Sequence, residues 1–175
     1  MNCTIETGKP TDIDAIEQLY NDLNDHLEQT TNYPGWAKGL YPAREDAEIA
    51  IGDNSLFVLR IDGEIAGSVV LNNQQAGAYD QVTWGVEAKP HEVIVINKLA
   101  VHPRFLGRGV ATKLLDFAKE YAIRQRAKTI RLDVTAQNSP AIALYEKCGY
   151  VYVGTVDLGL PFAHLKWFKL YELII

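Results

Sequence analysis

The 175-residue sequence has few of the residues that staple or anchor small proteins: two cysteines, one methionine, and no unbroken apolar run longer than the five residues 141–145. Two cysteines, Cys3 and Cys148, exclude a disulfide scaffold and share no metal or redox spacing. A membrane-spanning helix needs about 20 apolar residues, so none is expected. The histidines are as scattered: no pair among His26, His102 and His164 has ligand spacing, and no metal is expected. No Gly-x-Ser-x-Gly segment supports a serine hydrolase. Lys113 follows Thr112 with no glycine before it, which excludes a P-loop. Residues 1–10 lack a basic-then-apolar leader pattern, and with so little cysteine a cytoplasmic, reducing location is expected. Seventeen basic against 22 acidic residues give a net charge of −5, which argues against nucleic acid as a partner and tilts toward cationic ones. The basic residues Arg124, Arg126, Lys128 and Arg131 read as a solvated surface.

What is present is ordinary globular composition, 47% hydrophobic and 22% charged. A chain of this length buries roughly 70% of its unfolded surface, so one domain over 1–175 is expected. Cys3 and Ile5 alternate with polar neighbours as in a short strand. Thr11 and Asp14 form a capping-box pattern before a helix over 12–28, whose Ile13, Ile16, Leu19, Tyr20, Leu23 and Leu27 recur at three and four. Residues 30–42 combine glycine and proline with three large aromatics, a structured loop leading to a short helix over 44–51. Strands over 56–61 and 64–71 flank Asp62-Gly63, a strong two-residue hairpin signal. Residues 72–90 read as a long, mostly irregular excursion, with a strand extension near 81–84 as the one regular element it could hold.

Residues 92–101 are apolar on both faces, Val93, Val95, Leu99 and Val101 against Ile94, Ile96 and Ala100, the pattern of a central strand. A glycine turn follows, then a helix carrying Val110, Leu114, Phe117, Ala118 and Tyr121. Ile130, Leu132 and Val134 alternate inward on the next strand. Ser139-Pro140 then supplies an N-cap and first-turn proline for a helix that stops before Gly149. Residues 150–156 and 166–173 are closing strands, antiparallel to one another.

The chemistry concentrates at Leu99-Ala-Val-His-Pro-Arg-Phe-Leu-Gly-Arg-Gly-Val-Ala-Thr112, where a buried strand stops and restarts as a helix. Orphan backbone N–H groups there, with the positive end of the helix dipole, make a site for a pyrophosphate. Gly107 and Gly109 let an anion approach the backbone, and Arg104 and Arg108 can add charge-assisted contacts. A dinucleotide fingerprint, Gly107-x-Gly109-x-x-Thr112 with Asp133 as ribose acid, is the runner-up; it lacks the third glycine and lies nearly a hundred residues into the chain.

Leu106-Gly107-Arg108-Gly109-Val110-Ala111 resembles the Gln/Arg-x-x-Gly-x-Gly/Ala pyrophosphate loop of the GNAT superfamily of acetyl-CoA-dependent N-acetyltransferases. The departure is Leu106, which stands where that family has Gln or Arg; the backbone donors are unaffected. Residues 138–150, Asn-Ser-Pro-Ala-Ile-Ala-Leu-Tyr-Glu-Lys-Cys-Gly-Tyr, match the family's Asn, Leu-Tyr-Glu-Lys, Gly-Phe/Tyr pattern. Two motifs in the right order, with the preceding hairpin, carry the resemblance over about 56–156.

The resemblance implies an α/β (α+β mixed) fold. It would have a central mixed, mostly antiparallel sheet of about seven strands, splayed at its centre, with about four flanking helices. It implies acetyl-CoA as co-substrate and a direct attack by a primary amine through a tetrahedral intermediate, the acceptor being a small molecule or a peptide or protein amine. The backbone of Leu99, Ala100 and Val101 would bind pantetheine as an added strand, and Leu106, Gly107, Arg108, Gly109, Val110, Ala111 and Thr112 the pyrophosphate. Asn138 would bond the pantetheine arm, and Tyr145 would contact the cofactor and protonate the departing thiolate, a phenol being neutral below pH about 10. The general base stays open among Glu92, Asp133, His91 and Asn97. Tyr33, Trp36, Tyr41, Phe162 and Trp167 form either an acceptor wall or ordinary packing. A homodimer through the late strands is expected; a non-catalytic CoA-binding module is the alternative.

Overall fold

The computed structural model describes residues 1–175. In chain order it contains β1 (Cys3–Thr7), α1 (Ile13–Gln29), α2 (Arg44–Gly52), β2 (Leu56–Ile61), β3 (Glu64–Asn72), β4 (Val93–Val101), α3 (Val110–Arg124), β5 (Thr129–Thr135), α4 (Ser139–Lys147), β6 (Val151–Asp157) and β7 (Trp167–Ile174). The strands form one seven-stranded sheet in the order β1-β2-β3-β4-β5-β7-β6. The β4/β5 pair is parallel, as a strand-helix-strand crossover through α3 requires. Pairs β1/β2, β2/β3, β5/β7 and β6/β7 are antiparallel. The mixed, mostly antiparallel sheet with four helices is the fold the resemblance implied. That β7 inserts between β5 and β6 was not legible in the sequence, where the late strands differ little in composition.

Local chemistry explains most boundaries. Asp62 and Gly63 take left-handed conformations, φ 50° and 88°, as a type I′ hairpin turn demands. Helix α4 ends in a Schellman arrangement: Gly149 at φ 90° follows the last turn, and the Tyr150 N–H donates to Tyr145 O at 3.0 Å. Three details differ from the sequence reading. The capping box Thr11/Asp14 is replaced by Asp12, whose Oδ2 accepts from the Lys9 N–H at 2.9 Å while Oδ1 takes Arg60 at 2.6 Å. Asn138, not Ser139, caps α4, its Oδ1 accepting from the Ala141 N–H at 3.3 Å. No strand forms at 81–84; a 3-10 turn, Gly77–Gln81, precedes a loop there. In that loop the Gly85 N–H donates to a Glu172 carboxylate instead of a ladder carbonyl.

The chain gathers into two compact units, the first comprising Met1–Asn32, Trp36–Leu71 and Asn97–Phe117, the second Tyr33–Gly35, Asn72–Ile96 and Ala118–Ile175. In the first, Ile16, Leu19, Tyr20 and Leu23 of α1 pack with Ala47, Ala50 and Ile51 of α2 and with Leu56, Val58, Val70 and Ala100. Gly67 of β3 seats the start of α3: a Cβ there would stand 2.7 Å from Val110 Cγ1 and 2.9 Å from the Ala100 carbonyl oxygen. In the second, Tyr79, Val93, Val95, Val156 and Leu170 form a core.

Arg131, read from sequence as surface, is buried in the second unit at 5% exposure. It lies 4.2 Å from the centre of the Trp84 ring. Its Nη1 donates to Gln75 Oε1 at 2.8 Å and its Nη2 to the Val86 carbonyl at 3.0 Å. Glu172, 3% exposed, stands 3.9 Å away. Desolvation lowers the Arg131 pKa, and the Glu172 charge opposes that. Strand alternation alone puts residue 131 on the face opposite Ile130 and Leu132; the long loop that covers that face is what buries it.

Replacing Arg131 by Ala removes the cation and strands Glu172, so an unfolding free energy lower by about 3 kcal/mol is expected in urea titrations; a change below about 1 kcal/mol would contradict this role. Alkaline pH gives a second test. Burial, assisted by acidic neighbours, raises the pKa of Tyr20, Tyr79 and Tyr145 above 10. Unfolded tyrosine ionises near 10, so the unfolded state then loses protons first and stability falls. The decline expected above about pH 10 is up to ~1.4 kcal/mol per pH unit for each tyrosine. A flat stability profile to pH 11.5 would contradict it.

Candidate functional site

The loop after β4 is built from short-range constraints. Pro103 opens a 3-10 turn, Pro103–Phe105, which His102 caps by accepting the Arg104 N–H on Nδ1 at 3.1 Å. With Nδ1 an acceptor, Nε2 carries the proton and donates to Asp22 Oδ2 of α1 at 2.9 Å. Phe105 is 6% exposed and anchors the turn. Gly107 and Gly109 both stand at φ 74°, and a Cβ built on either meets nothing within 4 Å. Left-handed backbone and open space together explain two glycines there.

The Lys113 N–H donates to Gly109 O at 3.0 Å, the first bond of the 15-residue helix α3. The N–H groups of Val110, Ala111 and Thr112 thus have no partner within the helix and face its positive end. Val110 is buried, and Leu106 is 48% exposed beside the glycines. Arg104 and Arg108 lie 5.6 and 5.2 Å from the Phe105 ring centre, and Arg104 also pairs with Glu64 at 3.3 Å. At the end of β4, Ala100 is buried while Leu99 and Val101 are half-buried. Unpaired helix N–H groups beside open glycine backbone are an arrangement chemically suited to a diphosphate.

The second unit contributes a cluster around α4. Tyr145 is buried, its ring centre 5.9 Å from that of Tyr150 and 6.5 Å from that of Tyr171. Burial first, then the charge of Asp133, pushes its pKa above the ordinary phenol value. Asp133 accepts a hydrogen bond from the Tyr79 hydroxyl at 2.7 Å. Tyr79 is 1% exposed and is held by Trp84, whose ring centre lies 5.3 Å from its own and whose indole N–H donates to the Tyr79 carbonyl at 3.0 Å. The partner the structure supplies for Asp133 is thus Tyr79. That residue was missed because it comes from the irregular excursion, where no periodicity marks a face.

Other candidates are committed elsewhere. Glu92 accepts the Lys89 N–H at 2.8 Å and pairs with Lys128 at 3.1 Å, and these contacts hold its carboxyl below its ordinary pKa. His91 is exposed and Asn97 half-buried. Trp36 and Tyr41 meet edge to face, 5.9 Å apart, within the first unit. Tyr33 and Trp167 belong to the second unit, 39% and 53% exposed, with Lys166 5.1 Å from the centre of the Trp167 ring. Phe162 stacks near His164 at 6.2 Å. No cluster of three histidine, cysteine or carboxylate side chains is arranged to hold a metal ion.

Comparison with known proteins gives a consistent picture. Residues 16–150 match the acetyltransferase (GNAT) family. Streptothricin acetyltransferase of Escherichia coli is 32% identical over 106 residues, 61% of this chain and 52% of that protein. The chain spans between 52% and 62% of the length of the four curated relatives compared. An acetyltransferase of the GNAT family from Streptococcus agalactiae superposes with a TM-score of 0.80 at 21% identity, over 99% of this chain and 95% of that one. The Salmonella typhimurium protein yncA, solved with its cofactor acetyl-CoA, gives a TM-score of 0.72 at 18% identity, over 99% and 94%. With the glycine loop and the second motif both inside the matched residues, the chain belongs to the acetyltransferase (GNAT) family.

Proposed function

We propose that the protein transfers an acetyl group from acetyl-CoA to a primary amine by direct attack. The observation that carries this reading is the loop itself: two left-handed glycines facing open space at the N-terminus of a 15-residue helix. The N–H groups of Gly107, Gly109, Val110, Ala111 and Thr112 are assigned to the pyrophosphate, that of Arg108 donating to the Phe105 carbonyl at 3.4 Å. Leu106 contributes no polar group, so Arg108 supplies the side-chain cation, Arg104 being engaged by Glu64. The backbone of Leu99, Ala100 and Val101 is assigned to the pantetheine arm. Asn138 spends its Oδ1 on the α4 cap, leaving its amide Nδ2 to donate to that arm. Bound acetyl-CoA supplies an acyl group activated as a thioester, with a thiol as leaving group.

The remaining chemistry is proton handling. An amine of pKa about 10.4 is mostly ammonium at neutral pH, so the attacking free base is scarce and the rate rises with pH. As the nitrogen bonds to carbon its proton becomes strongly acidic, and the Asp133 carboxylate, held by Tyr79, receives it. Tyr145 stays neutral throughout, because burial and Asp133 raise its pKa. A phenol less acidic than a thiol does not hand over its proton outright; it stabilises the departing sulfur by donating a hydrogen bond as charge develops there.

Thiol release in the presence of acetyl-CoA and a panel of primary amines is the direct test, and turnover of at least one amine is expected. No release from any amine would overturn the reading. Tyr145→Phe is expected to lower kcat about a hundredfold with little change in KM or melting temperature; activity within twofold of wild type would remove Tyr145 from the mechanism. The pH profile of kcat/KM should climb about tenfold per unit from pH 7 to 9 and show no falling limb below pH 10. A descending limb centred near pH 8.5 would show that a group other than Tyr145 must stay protonated for turnover.

A further inference from the structure

Near the end of β4 the first unit holds a polar cluster that the anion loop and proton-handling residues do not use. Lys98 sits at φ 46°, a left-handed conformation that a lysine seldom adopts, so the surroundings impose it. The backbone kink turns its side chain, 20% exposed, between Tyr41 and Asp46: Nζ lies 5.4 Å from the Tyr41 ring centre and 3.7 Å from Asp46 Oδ1. At 3.7 Å the pair closes no hydrogen bond, so the ammonium keeps its donors for another acceptor. Asp46 cannot swing to meet it, because its Oδ2 accepts the Ala43 N–H at 2.8 Å at the start of α2.

Three further polar atoms converge here. Tyr20 and Asn24 stand one turn apart on α1, 0% and 3% exposed, and Ser68 of β3 is 1% exposed. The Tyr20 hydroxyl faces Ser68 and feels the charge of Asp46. Asn24 donates through Nδ2 to the Tyr41 carbonyl at 3.3 Å. Asp46 and Tyr41 thereby connect both residues of α1 to Lys98. The Tyr20 and Ser68 hydroxyls meet only each other, without closing a regular hydrogen bond, and Asn24 Oδ1 has no hydrogen-bond partner in the folded chain. Buried polar atoms are nearly always fully bonded, and these under-bonded groups, linked to Lys98 through Asp46 and Tyr41, mark a place built for a polar guest.

We propose that this cluster is the acceptor subsite of the acetyltransferase and that it selects amines carrying a carboxylate. Lys98 is the anion-recognising residue. The hydroxyls of Tyr20 and Ser68 donate to the same anion, Asn24 Oδ1 accepts an N–H from the guest, and Tyr41 covers its apolar part. Asp46 disfavours a second negative charge. The inference rests on the acetyltransferase reading for its donor and narrows the class of amine accepted.

The test pairs free amino acids with their methyl esters and with the corresponding amines that lack the carboxylate, all with acetyl-CoA and thiol release as readout. Wild-type protein is expected to prefer the carboxylate members at least tenfold in kcat/KM. Lys98→Met, which keeps the aliphatic stem, should collapse that ratio toward one through KM, and Lys98→Arg should retain most of it. Without acetyl-CoA, a preferred amino acid should raise the melting temperature of wild type and of Lys98→Arg but not of Lys98→Met. Equal use of carboxylate and matched amines by wild type, or an unchanged ratio in Lys98→Met, overturns the subsite. Thiol release without a carboxylate preference overturns this inference alone; release from no amine overturns the acetyltransferase reading as well.

Discussion

The feature on which the rest depends is β4, a strand that has to be buried on both faces for half its length and leave its pairing with β5 soon after. Val93, Ile94, Val95 and Ile96 are each at most 4% exposed and pair in parallel with Thr129–Leu132 of β5. The registered pairing stops at Ile96↔Leu132, and two residues later Lys98 turns left-handed. Beyond it the chain carries the residues assigned to pantetheine, then the proline turn, the two glycines and the open end of α3. The apolar half fixes where that part of the strand lies, while the proline turn and the two glycines of the first unit leave the N–H groups at the start of α3 open.

A second constraint is how the protein accommodates charge away from water. In the second unit the residues between β3 and β4 lie over polar side chains of β5 and β7. Arg131 is clasped by Gln75, the Val86 carbonyl and the Trp84 ring, and Asp133 by Tyr79. A connection of this length without regular structure is uncommon in a compact fold, and such loops are most often functional. Here it orders a carboxylate whose charge adds to burial in raising the pKa of Tyr145, so a segment that looks like a spacer reaches the proposed proton-handling residues. Glycines make the close packing feasible: a Cβ on Gly154 would stand 2.7 Å from Val82 Cγ1.

Much of this was legible in the sequence because it follows from short-range rules. The Asp62-Gly63 hairpin, the apolar stripe of α1, the two-faced pattern of β4 and the glycine loop all depend on residues within a few positions of each other. Cap identities were misplaced by one residue, since Asp12 and Asn138 are chosen over their neighbours by where the incoming chain points. Arg131 and Tyr79 were not legible for a different reason: their roles are set by partners 45 to 56 residues away, Arg131 with Val86 and Gln75, Tyr79 with Asp133. Lys98 escaped notice because its significance lies in a backbone angle and in under-bonded atoms on α1 and β3, neither of which leaves a mark in composition or spacing.

The central claim is that the loop from Leu106 to Thr112 is an anion site for a CoA thioester. It is tested most directly by the melting temperature of the wild-type chain and of Gly109→Trp in saturating acetyl-CoA, CoA and NAD. At about a hundred times Kd the account predicts a rise of roughly 5–10 °C with acetyl-CoA or CoA, corresponding to about 2.7 kcal/mol. It predicts no rise with NAD, and none with any of the three in a Gly109→Trp protein that still melts cooperatively. Stabilisation by NAD in place of CoA, or an undiminished acetyl-CoA response in Gly109→Trp, would contradict it.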